Sequence, residues 1–334
     1  MISVEKEYRA VLTRIGFSLL FFLLLSNVIM GGAEALSVFL NEIWTTSDFI
    51  YISTDLISSI AYMASFIFPV SFFYIISRGI KKYPLNLSVR LPESHSFFKL
   101  VAIVWAGIAI IVPMAYLNSL LFPISVDTTS DLFGFDFSEP YKLVLSFIST
   151  AVVPAFVEEF LFRGLIISNI KPYSKNAAVI ISAVAFGLMH QNPAQLLYAT
   201  AAGVILGLVY IETDSIWCCI ALHFFNNFVS VLQTYLSYVM DEYIASMIVY
   251  FFDVFMVVGG MICAVLLLNI LKKRNKDKES ENNYGVFGSY DRVSPSFSGK
   301  INYVKNAFTT PTFMIFVILC AVQSVANGVL LLTL

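Results

Sequence analysis

Residues 157–164 read VEEFLFRG, and they place two adjacent carboxylates and an arginine at the end of a long apolar run. The run from Tyr141 to Phe162 is otherwise typical of a membrane-spanning helix. An ionised side chain at the centre of a bilayer costs roughly 2.5–3.5 kcal/mol by insertion scales. A chain that keeps three such groups together is expected to use them, so this stretch is the first candidate for a functional site.

The spacing within this stretch separates the two carboxylates. Glu159 and Arg163 are four residues apart, so on a helix they share a face and can form an ion pair. Glu158 points about 100° away from that face. The sequence therefore predicts that one carboxylate supports the structure while the other does chemistry.

The composition predicts an all-α, polytopic bundle of transmembrane helices. The chain has 334 residues, of which 58% are hydrophobic and 13% charged, and its mean hydropathy is +0.82. A soluble protein would carry about twice that charge. The apolar runs are continuous rather than alternating, which excludes a membrane β-barrel. Apart from a short basic run after residue 271, no like-charged tract suggests nucleic-acid binding. Four cysteines lie in apolar runs and are expected to be packing residues: Cys218, Cys219, Cys263 and Cys320.

About nine spans are predicted, and they divide the chain into three parts. Residues 1–140 would hold three spans with their loops, residues 141–240 a core of four spans, and residues 241–334 two spans joined by a polar, flexible loop at 272–310. The first run lacks a small-residue cleavage site, so we expect it to be retained as a helix. The predicted spans are 15–37, 50–77, 100–122, 141–163, 176–190, 194–211, 216–239, 244–271 and 311–333.

The distribution of Lys and Arg predicts the topology. Nineteen of the twenty basic residues fall in the N-terminal segment and in alternate loops, with Lys142 as the exception. Basic residues concentrate on the cytoplasmic side of membrane proteins. The N-terminus is therefore predicted to be cytoplasmic and the C-terminus to lie outside.

Two of the three histidines lie inside apolar runs. His190 and His223 occupy different predicted spans, whereas His95 lies in a loop and is expected to be a surface residue. Asn227 follows His223 by four residues and shares its helical face, and its uncharged amide could donate to an oxyanion. Together with Glu158, these side chains predict a shared intramembrane site.

The residue types leave two ways of activating a water molecule. Glu158 could act as a general base. Alternatively Glu158, His190 and His223 could hold a divalent metal such as zinc through one oxygen and two nitrogens. Both interpretations predict hydrolysis.

Three motifs in order carry a family resemblance. The pattern EExxxR at 158–163, FxxxH at 186–190 and HxxxN at 223–227, with QLLY at 195–198, resembles the CPBP (Abi) family of intramembrane proteases. That family includes the type II CAAX prenyl endopeptidases and bacterial relatives linked to bacteriocin processing or immunity. The resemblance covers residues 141–240, under a third of the chain.

The resemblance implies a role for each motif residue. Glu158 would activate water with assistance from His190, while His223 and Asn227 would stabilise the tetrahedral oxyanion. The family has been described both as metalloproteases and as metal-free glutamate enzymes, so either mechanism is consistent with it. Two further motif residues would support the site: Glu159 and Arg163.

The expected function is that of an endopeptidase that cuts a membrane-associated, hydrophobic or lipid-modified peptide. If the protein is bacterial, its membrane is expected to be the cytoplasmic membrane, and lipid is its first partner. Two other functions suit the same sequence. Buried carboxylates in nine spans also suit a transporter or channel, and the fold could serve as a catalytically silent immunity or scaffold protein.

The predicted fifth span has only about 15 residues, too few to cross a core of about 30 Å. We therefore expect it to end within the protein, with the break at 190–193 lining a water-filled cavity open to the cytoplasm. Ala199, Gly203 and Gly207 form a small-residue stripe that predicts close helix packing. Two other intramembrane carboxylates, Asp55 and Asp253, are expected to have structural roles, and the alternative is a role in substrate entry.

Overall fold

The computed structural model describes residues 2–43, 47–79, 85–91, 97–121, 137–282 and 302–333, and within these ranges every regular element is a helix. The predicted all-α helical bundle is thus confirmed. In chain order the helices are α1 Ile2–Ile43, α2 Ser47–Gly79, α3 Phe97–Leu121, α4 Pro140–Ile170, α5 Lys175–Met189, α6 Pro193–Thr213, α7 Ile216–Val239, α8 Glu242–Asn282, α9 Tyr303–Phe308 and α10 Pro311–Thr333.

Among the described residues, eight helices are long and apolar enough to cross a membrane, which identifies an integral membrane protein. The fifth predicted span, 176–190, corresponds to α5, which has 15 residues and is shorter than the eight helices that could cross a membrane. Its short length is confirmed, while its ending within the protein stays a prediction. The four predicted core spans correspond to α4, α5, α6 and α7, and the four cysteines are free.

Helix α4 contains two wide π-helical stretches, Ile148–Val152 and Phe160–Ile167, on either side of the paired glutamates. Such stretches are rare in helices and are frequently found at functional sites. The helix also runs to Ile170, seven residues past the end predicted at 163. At about 1.5 Å per residue, Glu158 then lies roughly 18 Å from the C-terminal end of α4. By the same count His190 lies about 22 Å from the start of α5 at Lys175, so the two counted depths differ by only about 4 Å.

The connection between α5 and α6 is a sharp break. Helix α5 begins after Ser174, whose side chain accepts a hydrogen bond from the Ala177 backbone N–H, and it ends at Met189. Gln191 has a φ of 51°, in the left-handed region, and α6 starts at Pro193. The predicted interruption at 190–193 is confirmed, while the cavity that it was expected to line stays a prediction.

The loop predicted over 272–310 is partly helical, which corrects the interpretation of the whole stretch as a flexible linker. Helix α8 continues to Asn282, because the segment KKRNKDKES is rich in Lys, Arg and Glu, which favour helix formation. Near the other end of the stretch, α9 is tied to α1. The Tyr8 hydroxyl donates to the Tyr303 carbonyl at 3.0 Å, and Arg9 Nη2 donates to Asn306 Oδ1 at 2.8 Å.

An extended segment, residues 85–91, lies against the C-terminal half of α4. The backbone N–H of Ser88 donates to the carbonyl of Gly164 at 3.0 Å, within the second π-helical stretch. Asn169 accepts a hydrogen bond from the Asn86 N–H at 2.8 Å and donates one to the Asn86 carbonyl at 2.6 Å. The chain between α2 and α3 therefore contributes hydrogen bonds directly to the helix that carries the glutamates.

The small-residue stripe on α6 packs closely against α5, as predicted. A Cβ atom at Gly203 would lie 2.9 Å from the Cα of Ala183, and one at Gly207 would lie 3.2 Å from Cγ1 of Val179. Close backbone approach of this kind is typical of helix contacts in membranes.

We expect Gly203→Ala to destabilise the protein by about 1–3 kcal/mol, because the added methyl group forces the α5 and α6 backbones apart. The measurement is thermal unfolding in detergent. Gly31→Ala is the matched control, since a Cβ at Gly31 in α1 meets nothing within 4 Å. Alanine is the better helix former there, so this control should be neutral or slightly stabilising. Equal losses for the two variants would contradict the prediction.

Candidate active site

Glu159 and Arg163 form a buried ion pair, as their spacing predicted. Arg163 Nη1 donates to Glu159 Oε1 at 2.8 Å, and both side chains are 0% exposed. Arg163 Nη2 also donates to the Gly203 carbonyl at 3.1 Å, and the guanidinium lies 4.9 Å from the centre of the Phe186 ring. The arginine thus holds α4, α5 and α6 together around one buried carboxylate.

His223 joins this pair from α7. Its Nδ1 lies 2.9 Å from Glu159 Oε1. Because an ionised carboxylate only accepts hydrogen bonds, Nδ1 carries the proton and donates it. The other ring nitrogen, Nε2, then faces Glu158 Oε2 at 3.9 Å. Glu159 therefore sets the orientation of the imidazole, as carboxylates do for histidines in many hydrolytic sites.

Glu158 has one oxygen held and one oxygen available. The hydroxyl of Tyr62 donates to Oε1 at 2.5 Å, while Oε2 is buried and has no hydrogen-bond partner among the described residues. The gap of 3.9 Å from Oε2 to His223 Nε2 is too long for a direct hydrogen bond. A polar separation of this size is one that a water molecule can bridge.

His190 and His223 both lie near the aromatic ring of Phe186. Its Nδ1 donates to the Phe186 carbonyl at 2.8 Å, which leaves Nε2 as the nitrogen that can accept a proton. The Phe186 ring lies 5.1 Å from the His190 ring and 5.8 Å from the His223 ring, centre to centre. The structure thus brings both histidines to the same side chain of α5.

Asn227 is fixed by its neighbours on α4 and α7. Its Nδ2 donates to the carbonyl of Thr150, in the first π-helical stretch, at 3.0 Å. Asn226 donates to Asn227 Oδ1 at 3.1 Å and also to the hydroxyl of Tyr198. Each Asn amide carries two N–H groups, so Asn227 has one further N–H to offer. Asn226, which points away on helical spacing, therefore helps to orient the amide.

The metal interpretation of the site stays a prediction. Among the residues that the structure describes, no group of three or more His, Cys, Asp or Glu side chains is positioned to hold a metal ion. The reaction proposed below uses the alternative in which Glu158 acts as a general base, and no chemical step passes through a metal.

Tyr62 is the site residue that sequence reasoning missed. It lies on α2, outside the segment 141–240 in which the site was sought. A weak signal was present, because Asp55, Ser59 and Tyr62 recur at the spacing of one helical face in an otherwise apolar helix. Asp55 on this face forms a hydrogen bond with Ser149 of α4.

Two further residues that the sequence singled out are Asp253 and His95. Asp253 is buried on α8, where it accepts hydrogen bonds from the Tyr116 hydroxyl at 2.7 Å and from Gln233 Nε2 at 3.0 Å. These two donors agree with the structural role expected for it. His95 lies outside the described residues.

Residues 140–229 match the family described as type II CAAX prenyl endopeptidase Rce1-like. The match begins with α4 and ends within α7, so it contains all three motifs, which lie on α4, α5 and α7, together with the whole of α6. The resemblance to the CPBP-family proteases is thereby confirmed for this segment.

The chain is also similar to the protein named "Putative membrane peptidase YdiL" of Bacillus subtilis (strain 168). The two are 34% identical over 93 residues, which is 27% of this chain and 37% of that relative. The similarity thus spans little more than a third of the relative's length. No solved structure matches the chain significantly.

Proposed function

We propose that this protein is an intramembrane endopeptidase that hydrolyses a peptide bond in a hydrophobic or lipid-modified peptide. The observation that carries the proposal is the position of Glu158 Oε2, which is buried, without a described hydrogen-bond partner, and 3.9 Å from His223 Nε2. A carboxylate and an imidazole at this separation can share a water molecule and its protons. The similarity to the protein named "Putative membrane peptidase YdiL" and the family match over residues 140–229 support this assignment.

In the proposed reaction, Glu158 Oε2 takes a proton from water while the water oxygen attacks the carbonyl carbon of the peptide bond. The product of this step is a tetrahedral oxyanion. The C–N bond then breaks, and the proton held by Glu158 passes to the leaving amine, so that one water is consumed and two products leave. His190 would assist by accepting a hydrogen bond from the attacking water at Nε2, because Nδ1 donates to the Phe186 carbonyl.

A protonated His223 would let the site accommodate the negative charge of the oxyanion. Glu158, Glu159 and Arg163 together carry one excess negative charge when His223 is neutral, and a proton on His223 Nε2 balances it. Protonated Nε2 can donate to the oxyanion while Nδ1 stays bonded to Glu159. The remaining N–H of Asn227 is the second donor.

The test of this function is a cleavage assay on the purified full chain in lipid vesicles. The substrates are hydrophobic peptides and peptides with a prenylated cysteine that is followed by three more residues at the C-terminus, and the products are read by mass spectrometry. We expect cleavage by the wild type and by Asp253→Asn, whose position lies away from the site. Ion flux without cleavage would favour a transporter or channel. A cellular phenotype that survives Glu158→Ala and His190→Ala would favour a silent immunity or scaffold protein.

In the mechanism that we propose, Glu158 Oε2 is the base and no metal takes part, so we expect cleavage to continue in the presence of a metal chelator. The measurement compares cleavage rates with and without chelator, alongside metal analysis of the purified protein. Loss of activity that added zinc restores would overturn this prediction.

We further propose that the N-terminus faces the cytoplasm, with the protein in the cytoplasmic membrane if it is bacterial. The support is the distribution of Lys and Arg, nineteen of which lie on one predicted side. Reporter fusions at the two ends of the chain test this topology. A reporter that is active only outside the cytoplasm should work at the C-terminus and fail at the N-terminus, and the reverse pattern would contradict it.

A further inference from the structure

We propose that Tyr62 is a positioning residue for catalysis, which fixes the Glu158 carboxylate so that its free oxygen faces His223. This inference rests on the proposed function and extends it to α2, which lies outside the segment that matches the family. The two residues are separated by 96 positions in the chain.

The hydrogen bond from Tyr62 to Glu158 restricts the position of the carboxylate. The Tyr62 hydroxyl donates to Glu158 Oε1 at 2.5 Å, and hydrogen bonds to an ionised acceptor are stronger than those between neutral groups. With Oε1 held in this way, rotation of the carboxylate is restricted and Oε2 stays on the side of His223. Tyr62 thus decides which of the two oxygens is available to water.

The Tyr62 ring is itself held in place by aromatic packing. It lies 5.0 Å from the Phe66 ring, which in turn lies 4.6 Å from the Phe22 ring of α1, centre to centre. Phe22 and Phe66 are both buried. A supporting side chain that is locked by its own neighbours can hold a reacting group in a productive geometry. The first two helices therefore brace the carboxylate from outside the four-helix core.

Among the described residues, the Tyr62 hydroxyl is the hydrogen-bond donor to Glu158, so the contact does more than satisfy a buried tyrosine hydroxyl. The other glutamate oxygen atoms in the site either belong to the ion pair with Arg163 or lack a partner among the described residues. Tyr62 is thus the neutral donor for Glu158 in this part of the chain. Removing it would leave both Glu158 oxygens without a described hydrogen bond and free the carboxylate to rotate.

The experiment compares Tyr62→Phe with Tyr116→Phe in the cleavage assay on the full chain. Tyr116 makes the same kind of contact, from its hydroxyl to the intramembrane Asp253 at 2.7 Å, but away from the site. We expect Tyr62→Phe to lower kcat about 10- to 100-fold while KM changes less than about two-fold, because positioning is lost and substrate contacts are not. Tyr116→Phe should keep both constants. An unchanged kcat in Tyr62→Phe, or an equal fall in both variants, would overturn the proposal.

A double-mutant cycle on thermal unfolding tests the contact independently of activity. The variants are Tyr62→Phe, Glu158→Met, which removes the carboxylate acceptor, and the two combined, and we expect the combined shift in Tm to differ from the sum of the single shifts. Additive shifts would show that the two side chains do not interact and would overturn the inference. Coupling without any cleavage by the wild type would instead refute the proposed peptidase function, and with it the catalytic role of Tyr62, while leaving the contact established.

Discussion

Glu158→Gln should reduce kcat for peptide cleavage by about 10²–10⁴-fold, the typical contribution of a general base. The amide has nearly the shape of the carboxylate and still offers an oxygen to Tyr62, but it cannot take a proton from water. The loss should therefore appear in kcat rather than in KM. Single-turnover cleavage in lipid vesicles, with the enzyme in excess over the substrate and at saturating concentration, measures this step directly.

Asp253→Asn is the matched control for this experiment. It makes the same change from carboxylate to amide at another buried carboxylate that accepts a hydrogen bond from a tyrosine. We expect its activity to stay close to that of the wild type. A Glu158→Gln protein that folds, binds substrate and cleaves at more than about a tenth of the wild-type rate would remove Glu158 from the role of base.

Arg163→Met should produce the largest loss of stability, about 3–5 kcal/mol, because it leaves Glu159 charged and buried without its partner. The substitution also removes the donor to the Gly203 carbonyl. Methionine keeps much of the side-chain volume, so the effect reports the charge more than a cavity. Thermal unfolding of the full chain in detergent measures it.

Two variants make this prediction specific. Glu159→Gln combined with Arg163→Met removes both charges, and we expect it to lose less stability than Arg163→Met alone. Arg90→Met breaks an ion pair with Asp214 in which the side chains are 65% and 42% exposed. Exposed pairs contribute about 0–1 kcal/mol, so this control should change little. If Arg90→Met and Arg163→Met cost the same, burial of the Glu159–Arg163 pair would not matter.

The part of the site that could be predicted from the sequence is the part encoded by helical spacing. Glu159 and Arg163 pair because four residues bring side chains to one helical face. His223 could be recognised because a titratable side chain in an apolar span is costly, and it does meet the two glutamates. These inferences need only local geometry and the free energy of burying charge.

The rest of the site depends on tertiary structure that no local pattern encodes. Tyr62 on α2 contacts Glu158 on α4, and the two residues are 96 positions apart in the chain. The role of Tyr62 therefore follows from helix packing and not from the spacing of residues along one helix. The π-helical stretches of α4 arise from backbone hydrogen bonding. No sequence pattern in residues 148–152 and 160–167 marks them as π-helical. The helix also continued past 163, because the polar residues Ser168 and Asn169 find hydrogen-bond partners within the protein.

Residues 85–91 limit how far the chain can be shortened without disturbing the candidate active site. Ser88 satisfies the Gly164 carbonyl, and Asn86 exchanges two hydrogen bonds with Asn169. A fragment trimmed to the family-matched stretch, residues 140–229, would expose these groups and lose the tyrosine that steadies its glutamate. The matched stretch is thus not an autonomous module, and a minimal version of this protein must begin well before its first motif.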